Sequence, residues 1–221
     1  MYGPSEADNK IWWEFFAKVK REINYLWPEA KIKVFGSTAT RLYLPMSDID
    51  LVVRIAGFEK NSMKMVRKLQ KWLSSLSWTR SCENIMAKVP IVKLEDTESN
   101  LFMDISFNKC NGVAAVSFVQ KYLLIYPEMK FLILLIKAFL KSRGLNETYH
   151  GGLSSYLVTI LVISYLQEIY KYNLERPLLL SEHLMNFFEL YGGKFNYRDL
   201  GISIWKGGFY FKRSDRDWEN F

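Results

Sequence analysis

Near Asn111 the hydrophobic period of the chain changes. Upstream, helical and strand periods alternate. Ile11, Phe15, Val19, Ile23 and Leu26 recur at helical spacing and stop at Trp27-Pro28, Lys31 to Phe35 and Ile49 to Val53 read as strands, and Lys60 to Leu76 reads as a basic amphipathic helix. Two further strands are expected over Ala87 to Leu94 and Leu101 to Phe107. Downstream, the patterns over about 112–125, 128–143, 152–171 and 178–192 are helical. A hairpin signal, Lys206-Gly207-Gly208 between Ile202–Trp205 and Phe209–Lys212, follows them. The expected architecture is α+β in two domains: a helix-and-strand domain with a mixed sheet over about 1–116 and a helical domain over about 117–221. No repeat, low-complexity segment or Pro/Gly/Ser-rich linker separates them, so the boundary is read as a structural hinge.

Composition narrows the function classes. With 221 residues, 49% hydrophobic and 24% charged, the chain is long and apolar enough to bury a core, which excludes a disordered segment and a small stapled scaffold. Cys82, Cys110, His150 and His183 are too few and too scattered for a zinc site, and both histidines read as structural. The two cysteines read as free thiols of a reducing compartment, with a single disulfide as the alternative. Residues 1–10 carry no secretory apolar region, so an intracellular protein is expected. Phe131–Leu140 and Leu153–Leu166 fall short of the ~20 residues of a membrane span and read as core helices. The net charge of +7 favours a polyanionic partner such as nucleic acid. The excess is spread, with 17 Lys/Arg against 13 Asp/Glu over 1–116 and 13 against 10 over 117–221, so a nucleic-acid surface has to be made by folding.

The chemistry is concentrated in Val34-Phe35-Gly36-Ser37-Thr38 and, further on, Asp48-Ile49-Asp50-Leu51-Val52-Val53. In a strand, Asp48 and Asp50 share one face while Ile49, Leu51 and Val53 share the other. Two adjacent carboxylates repel unless a positive charge lies between them, which suggests a hard divalent cation such as Mg²⁺ shared with phosphates. The bland alternative is a solvated turn. Gly36 lets backbone N–H groups approach a phosphate, and the Ser37 hydroxyl adds a donor. Asp104 stands on the polar face of a strand whose other face is Leu101, Met103, Ile105 and Phe107. Three carboxylates on neighbouring strands suit two metal ions about 4 Å apart, clamping the attacking and leaving oxygens of a phosphoryl displacement. Asp104 is then the candidate to help deprotonate the attacking hydroxyl.

This constellation resembles the nucleotidyltransferases of the DNA polymerase β superfamily. Longer stretches resemble the noncanonical poly(A) polymerases of the TRAMP type: Leu26-Trp27-Pro28-Glu29-Ala30, Leu42-Tyr43-Leu44-Pro45, Ser47-Asp48-Ile49-Asp50, Val89-Pro90-Ile91-Val92-Lys93 and Asn111-Gly112. The likeness continues through Gly151-Gly152-Leu153-Ser154-Ser155-Tyr156, Tyr191-Gly192 with Phe195-Asn196-Tyr197, and Gly201-Ile202-Ser203-Ile204, so it covers about residues 3–213 in the family's order.

The resemblance implies a metal triad of Asp48, Asp50 and Asp104, with Gly36 and Ser37 on the triphosphate and Asn111 and Gly112 on the ribose. Lys137 and Lys141, four apart on an expected helix and therefore on one face, would contact phosphates. Read alone, Lys137 is a lysine inside an apolar run that could equally snorkel at a helix edge. Gly151 to Tyr156 opens a helix whose N–H groups and hydroxyls, Ser155 among them, suit a triphosphate, and Tyr156 would stack on the base. The alternative there is a capped core helix with Tyr156 buried. Arg41 and Lys33 read as a solvated face, and Trp12, Trp13, Phe15 and Phe16 as helix packing.

The implied activity is addition of AMP from ATP to RNA 3′ ends, with Mg²⁺ (or Mn²⁺), in a cleft between the two domains. The implied setting is nuclear RNA surveillance, with a zinc-knuckle RNA-binding protein and an RNA helicase as partners and no membrane. Two alternatives stand beside it: a terminal uridylyltransferase and a catalytically silent RNA-binding scaffold. In the family a loop-and-helix element that helps to recognise the base follows the segment resembling Ile202 to Trp218. The chain reaches Phe221 before that signature, so a pruned version or a fragment is expected.

Overall fold

The computed structural model describes residues 6–45, 47–57, 61–86, 89–108, 111–146, 148, 151–172 and 176–215, with backbone alone at residue 8 and residues 111–114. The chain divides into two compact units between Gln120 and Lys121.

The first unit is a helix-backed sheet. Its elements are α1 (Glu6–Leu26), β1 (Lys31–Val34), α2 (Gly36–Thr40), β2 (Ile49–Arg54), α3 (Ser62–Leu73), β3 (Thr79–Ile85), β4 (Ile91–Asp96) and β5 (Phe102–Phe107). The strands form one mixed sheet in the order β1-β2-β5-β4-β3. Only the β2–β5 pair is parallel; β1–β2, β4–β5 and β3–β4 are antiparallel.

The helices cover one face because alternation supplies that face with apolar residues, Asp96 at the end of β4 excepted. Ile49, Leu51, Val53, Val92, Leu94, Met103, Ile105 and Phe107 meet Trp12, Phe15, Val19 and Ile23 of α1 and Met65, Val66, Leu69 and Leu73 of α3. Burying a side chain of this size is worth roughly 1.5–3 kcal/mol. The core therefore fixes which face of each strand is left open. Of the aromatic residues read as packing, Trp12 and Phe15 join this core, Phe16 packs against it, and Trp13 is exposed. Arg41 and Lys33 are exposed, as a solvated face requires.

Two local elements differ from expectation. Of the strand expected over Ala87 to Leu94, Ala87 and Lys88 lie outside the described residues, Val89 and Pro90 are not strand and β4 runs from Ile91; a further strand, β3, precedes it. Thr79–Ile85 is polar because it lies at the sheet edge, where just Cys82 reaches the core, so its apolar alternation is faint. The Gly-Ser turn is extended into α2, closed by Arg41 in the left-handed region at φ 57°.

The second unit is helical with a small hairpin. Its elements are α5 (Met129–Ser142), α6 (Ser155–Lys171), α7 (Leu180–Glu189), β6 (Leu200–Ser203) and β7 (Phe209–Lys212), and the unit boundary falls within α4 (Asn111–Ile125). Residues 158, 161–163, 165 and 166 of α6 are buried apolar positions, more than one stripe, as for a central helix. His183 is buried with its Nδ1 3.1 Å from the Tyr165 hydroxyl, a structural role. The hairpin is tied to α6 by Gln167, whose Nε2 donates to Ile204 O at 3.0 Å. His150 and Cys110 lie outside the described residues.

Candidate active site

Since Ile49, Leu51 and Val53 are held under the helices, the intervening Asp50 is on the open face of the sheet, and Asp48 just before β2 follows the same alternation. The parallel β2–β5 pairing sets Asp50 opposite Asp104. The antiparallel β4–β5 pairing sets Asp104 opposite Lys93, and Lys93 in turn faces Glu83 on β3. Asp50, Asp104, Lys93 and Glu83 thus make one row across four strands, placed by backbone register. Adjacent strands lie about 4.8 Å apart, so neighbours in the row are within direct electrostatic reach.

Lys93 sits among the carboxylates. Its Nζ donates to Asp48 Oδ2 at 2.8 Å and stands 4.0 Å from Asp104 Oδ1. It also lies 5.2 Å from the centre of the Phe102 ring. Asp104 Oδ1 is buried and has no hydrogen-bond partner. Burial pushes the Asp104 carboxyl up to about 6, against the pull of the Lys93 charge and with a further push from Asp48.

The Gly36-Ser37 turn closes over Asp50. Phe35 N–H donates to Asp50 O at 3.0 Å, which carries the chain from β1 directly across the carboxylate. Gly36 has φ +64°, and a Cβ there would fall inside van der Waals contact with Asp50 Oδ2. Glycine is thus required twice, for its backbone angle and for the close approach. Thr40 Oγ1 donates to Gly36 O and Ser37 O at 3.2 and 3.1 Å, which fixes the turn from behind. Ser37 itself is half-buried.

These residues suit a divalent cation. The reasons are an orphaned buried carboxylate oxygen, two carboxylates in register, a third beside them, and a backbone that leaves room for no side chain next to Asp50. Among the described residues no three carboxylate, imidazole or thiol side chains converge tightly enough to enclose an ion. The ammonium of Lys93 lies between two of the candidates.

The first unit therefore gathers Gly36, Ser37, Asp48, Asp50 and Asp104. The expected phosphate and base contacts belong to the second. Lys137 on α5 is buried, whereas Lys141, one turn on, is exposed. Ser154 caps α6, its hydroxyl accepting from Leu157 N at 3.1 Å, and Ser155 is the first residue of the helix. Tyr156 is 53% exposed, which departs from the buried alternative. The side chains of Asn111 and Gly112, expected on the ribose, lie outside the described residues. Residue types and spacing alone did not single out Lys93. Its signal was a lone lysine alternating with Val92 and Leu94, on the polar side of a buried strand.

The polymerase core of TRAMP, an RNA surveillance complex, matches this structure with a TM-score of 0.87 at 32% identity, over 96% of this chain and 68% of that one. A Cid1 poly(U) polymerase mutant bound to MgATP matches with a TM-score of 0.82 at 20% identity, over 99% of this chain and 79% of that one, and shows the fold alone. The fold is that of the polymerase β-like nucleotidyltransferases. In sequence, residues 1–123 match the family described as poly(A) RNA polymerase, mitochondrial-like, central palm domain, and residues 179–221 match the Cid1 family poly A polymerase. Poly(A) RNA polymerase CID14 of Cryptococcus neoformans is 43% identical over 205 residues, which are 90% of this chain and 27% of that protein. The chain belongs to the noncanonical poly(A) RNA polymerase family, of the TRAMP type. It spans about a quarter to under a half of the length of the curated relatives it matches (25–45%).

Proposed function

We propose that the chain is the core of a template-independent RNA 3′-nucleotidyltransferase that adds AMP from ATP to RNA 3′ ends. The observation that carries this reading is the register that pairs Asp50 with Asp104 beside Asp48, under a turn in which Gly36 admits no side chain. The catalytic role is assigned to residues 1–116, and contacts to the nucleotide are shared between that domain and the helical domain over 117–221. The polyadenylating relatives and the TRAMP polymerase core support ATP and RNA as substrates; the net charge of +7 suits both.

Asp48, Asp50 and Asp104 are the residues that would hold Mg²⁺ or Mn²⁺. When bound, such ions neutralise the phosphates and lower the cost of ionising the attacking hydroxyl. The chain's own groups do the positioning. Gly36 and Ser37 offer the triphosphate a close backbone and a hydroxyl, and Lys137, Lys141 and Ser155 add charge and donors for it. Asn111 and Gly112 take the ribose, and the exposed Tyr156 ring offers the base a stacking surface. Asp104 is assigned to help take the 3′-hydroxyl proton. The 3′-oxygen then bonds to the α-phosphorus as the bond to the leaving pyrophosphate breaks. Catalysis of this kind is positioning plus charge stabilisation.

By the same relationship we assign the protein to nuclear RNA surveillance, working with a zinc-knuckle RNA-binding protein and an RNA helicase. No helix among the described residues is long and apolar enough to cross a membrane. The test is extension of a labelled oligo-RNA with Mg²⁺ and each nucleoside triphosphate in turn, beside an Asp48→Ala/Asp50→Ala double variant. Extension with ATP that the variant lacks is the expected result. Preference for UTP would move the assignment to a uridylyltransferase, and RNA binding without turnover of any nucleotide to a silent scaffold.

A further inference from the structure

Lys93 is a lysine where the reaction as described above calls for none. It is carried by β4, whereas the carboxylates belong to β5 and the β2 end of the sheet, so its place is fixed by strand pairing and not by a shared local turn. Its ammonium lies 5.2 Å from the centre of the Phe102 ring, 2.8 Å from Asp48 Oδ2 and 4.0 Å from Asp104 Oδ1. Three carboxylates grouped on one face repel each other, and the cost is greatest for a buried one such as Asp104. The ammonium offsets that repulsion from the position in which a cation shared by Asp48 and Asp104 would be expected.

We propose that Lys93 is a resident counter-ion of the acidic row: it holds Asp48 and Asp104 together in the absence of a divalent ion, gives way when one binds, and so sets the row's affinity for metal. The inference rests on the reading of Asp48, Asp50 and Asp104 as metal ligands. Lys93 is suited to leave. Its side chain is 37% exposed, its four-carbon stem is flexible, and Glu83, the next residue of the same row on β3, offers a second carboxylate on the far side. An arginine would serve the resting state as well but would surrender a carboxylate less readily, because its fork binds in two places.

The test uses Mn²⁺ without nucleotide, with free Mn²⁺ read by electron paramagnetic resonance and melting curves recorded in chelator and in saturating Mn²⁺. Lys93→Met keeps an unbranched side chain and removes the charge. It is expected to bind Mn²⁺ on the order of tenfold more tightly, a conservative figure for losing a unit charge at this range. The same variant is expected to melt lower than wild type in chelator, with the gap closing in Mn²⁺. Lys93→Gln, shorter and polar, is expected to move both readouts the same way, which guards against a packing defect peculiar to methionine. Lys93→Arg is expected to bind no more tightly than wild type. An Asp50→Asn change abolishes binding in every background if the carboxylates hold the ion. Unchanged or weaker Mn²⁺ affinity in both Lys93→Met and Lys93→Gln, with binding still dependent on Asp50, would overturn the counter-ion while leaving the metal ligands standing. Mn²⁺ binding indifferent to Asp50 would remove the ligands and the counter-ion together.

Discussion

On the helix side of the sheet, Leu51, Val92, Leu94 and Ile105 are fully buried and do the same thing: each fills space against α1 or α3. One residue along the same strands, on the open side, stand Asp50, Lys93 and Asp104, each distinct in role and none replaceable by bulk alone. The same hydrogen-bonded ladder therefore carries a stabilising face and a reactive one. The first admits a charge only at the strand end, where buried Asp96 is held by Ser99 and Lys18. The second concentrates charge and would tend to fly apart if the first did not hold the backbone in register. Stability and chemistry are separated by one step of a strand, which makes them separable by substitution.

The largest expected effect comes from the open face. Asp48→Ala/Asp50→Ala should lower nucleotide transfer by at least about a thousandfold, equivalent to ~4 kcal/mol of transition-state stabilisation. Thermal unfolding should move little, because the Asp48–Lys93 pair is more than a third exposed on both sides and such pairs contribute at most about 1 kcal/mol. Unfolding of this variant at room temperature would mean that the two faces are not independent.

The mirror experiment is Leu94→Ala on the helix side. It should cost about 2–5 kcal/mol in denaturant unfolding while transfer per folded molecule is unchanged. A fall in transfer beyond the loss of folded protein would couple the faces.

Gly36→Ala touches both. The left-handed backbone costs about 1–2 kcal/mol for a residue with a side chain, and the added Cβ drives Asp50 Oδ2 from its place. Transfer should fall about a hundredfold, more than stability alone explains, since small misplacements of reacting groups have effects of that order. Equal losses in the two assays would argue that the turn matters only for folding.

The smallest effect is expected where β4 turns into β5. Burial pushes the Asp96 carboxyl up, but hydrogen bonds from the Ser99 hydroxyl and N–H, together with the Lys18 ammonium, outweigh it and hold the group below the usual carboxylate range. A depressed folded value contributes stability that is present above the unfolded pKa of about 3.9 and is lost as pH falls through the folded one. Wild type should thus lose stability below about pH 4, and Asp96→Asn should flatten that acid limb. Parallel acid limbs in the two proteins would sink this assignment.

Much of this was legible from residue patterns. The alternation Asp48-Ile49-Asp50-Leu51 and the polar Asp104 among Met103, Ile105 and Phe107 already put the carboxylates on the side away from the core. Helical spacing in Ile11–Leu26 likewise anticipated α1, which extends further upstream to Glu6. β3 was not legible, because an edge strand needs little apolar alternation, nor was the tightness of the Gly36 turn against Asp50, which arises between residues fourteen positions apart. The second unit shows the same limit. Helical spacing places Lys137 and Lys141 four apart, but that one is buried and the other exposed follows from packing around α5.

By itself, then, the sequence determined most of the elements, β3 excepted, the faces of the strands it revealed and the kind of chemistry they could support, since period and residue type are local properties. Only the tertiary structure decided the order β1-β2-β5-β4-β3 and with it which charges meet. Asp50, Asp104 and Lys93 are far apart along the chain and become neighbours solely through the register of a parallel and an antiparallel pairing. That register is fixed by burying the opposite face, so the positions of the reactive groups are set by residues that take no part in the reaction.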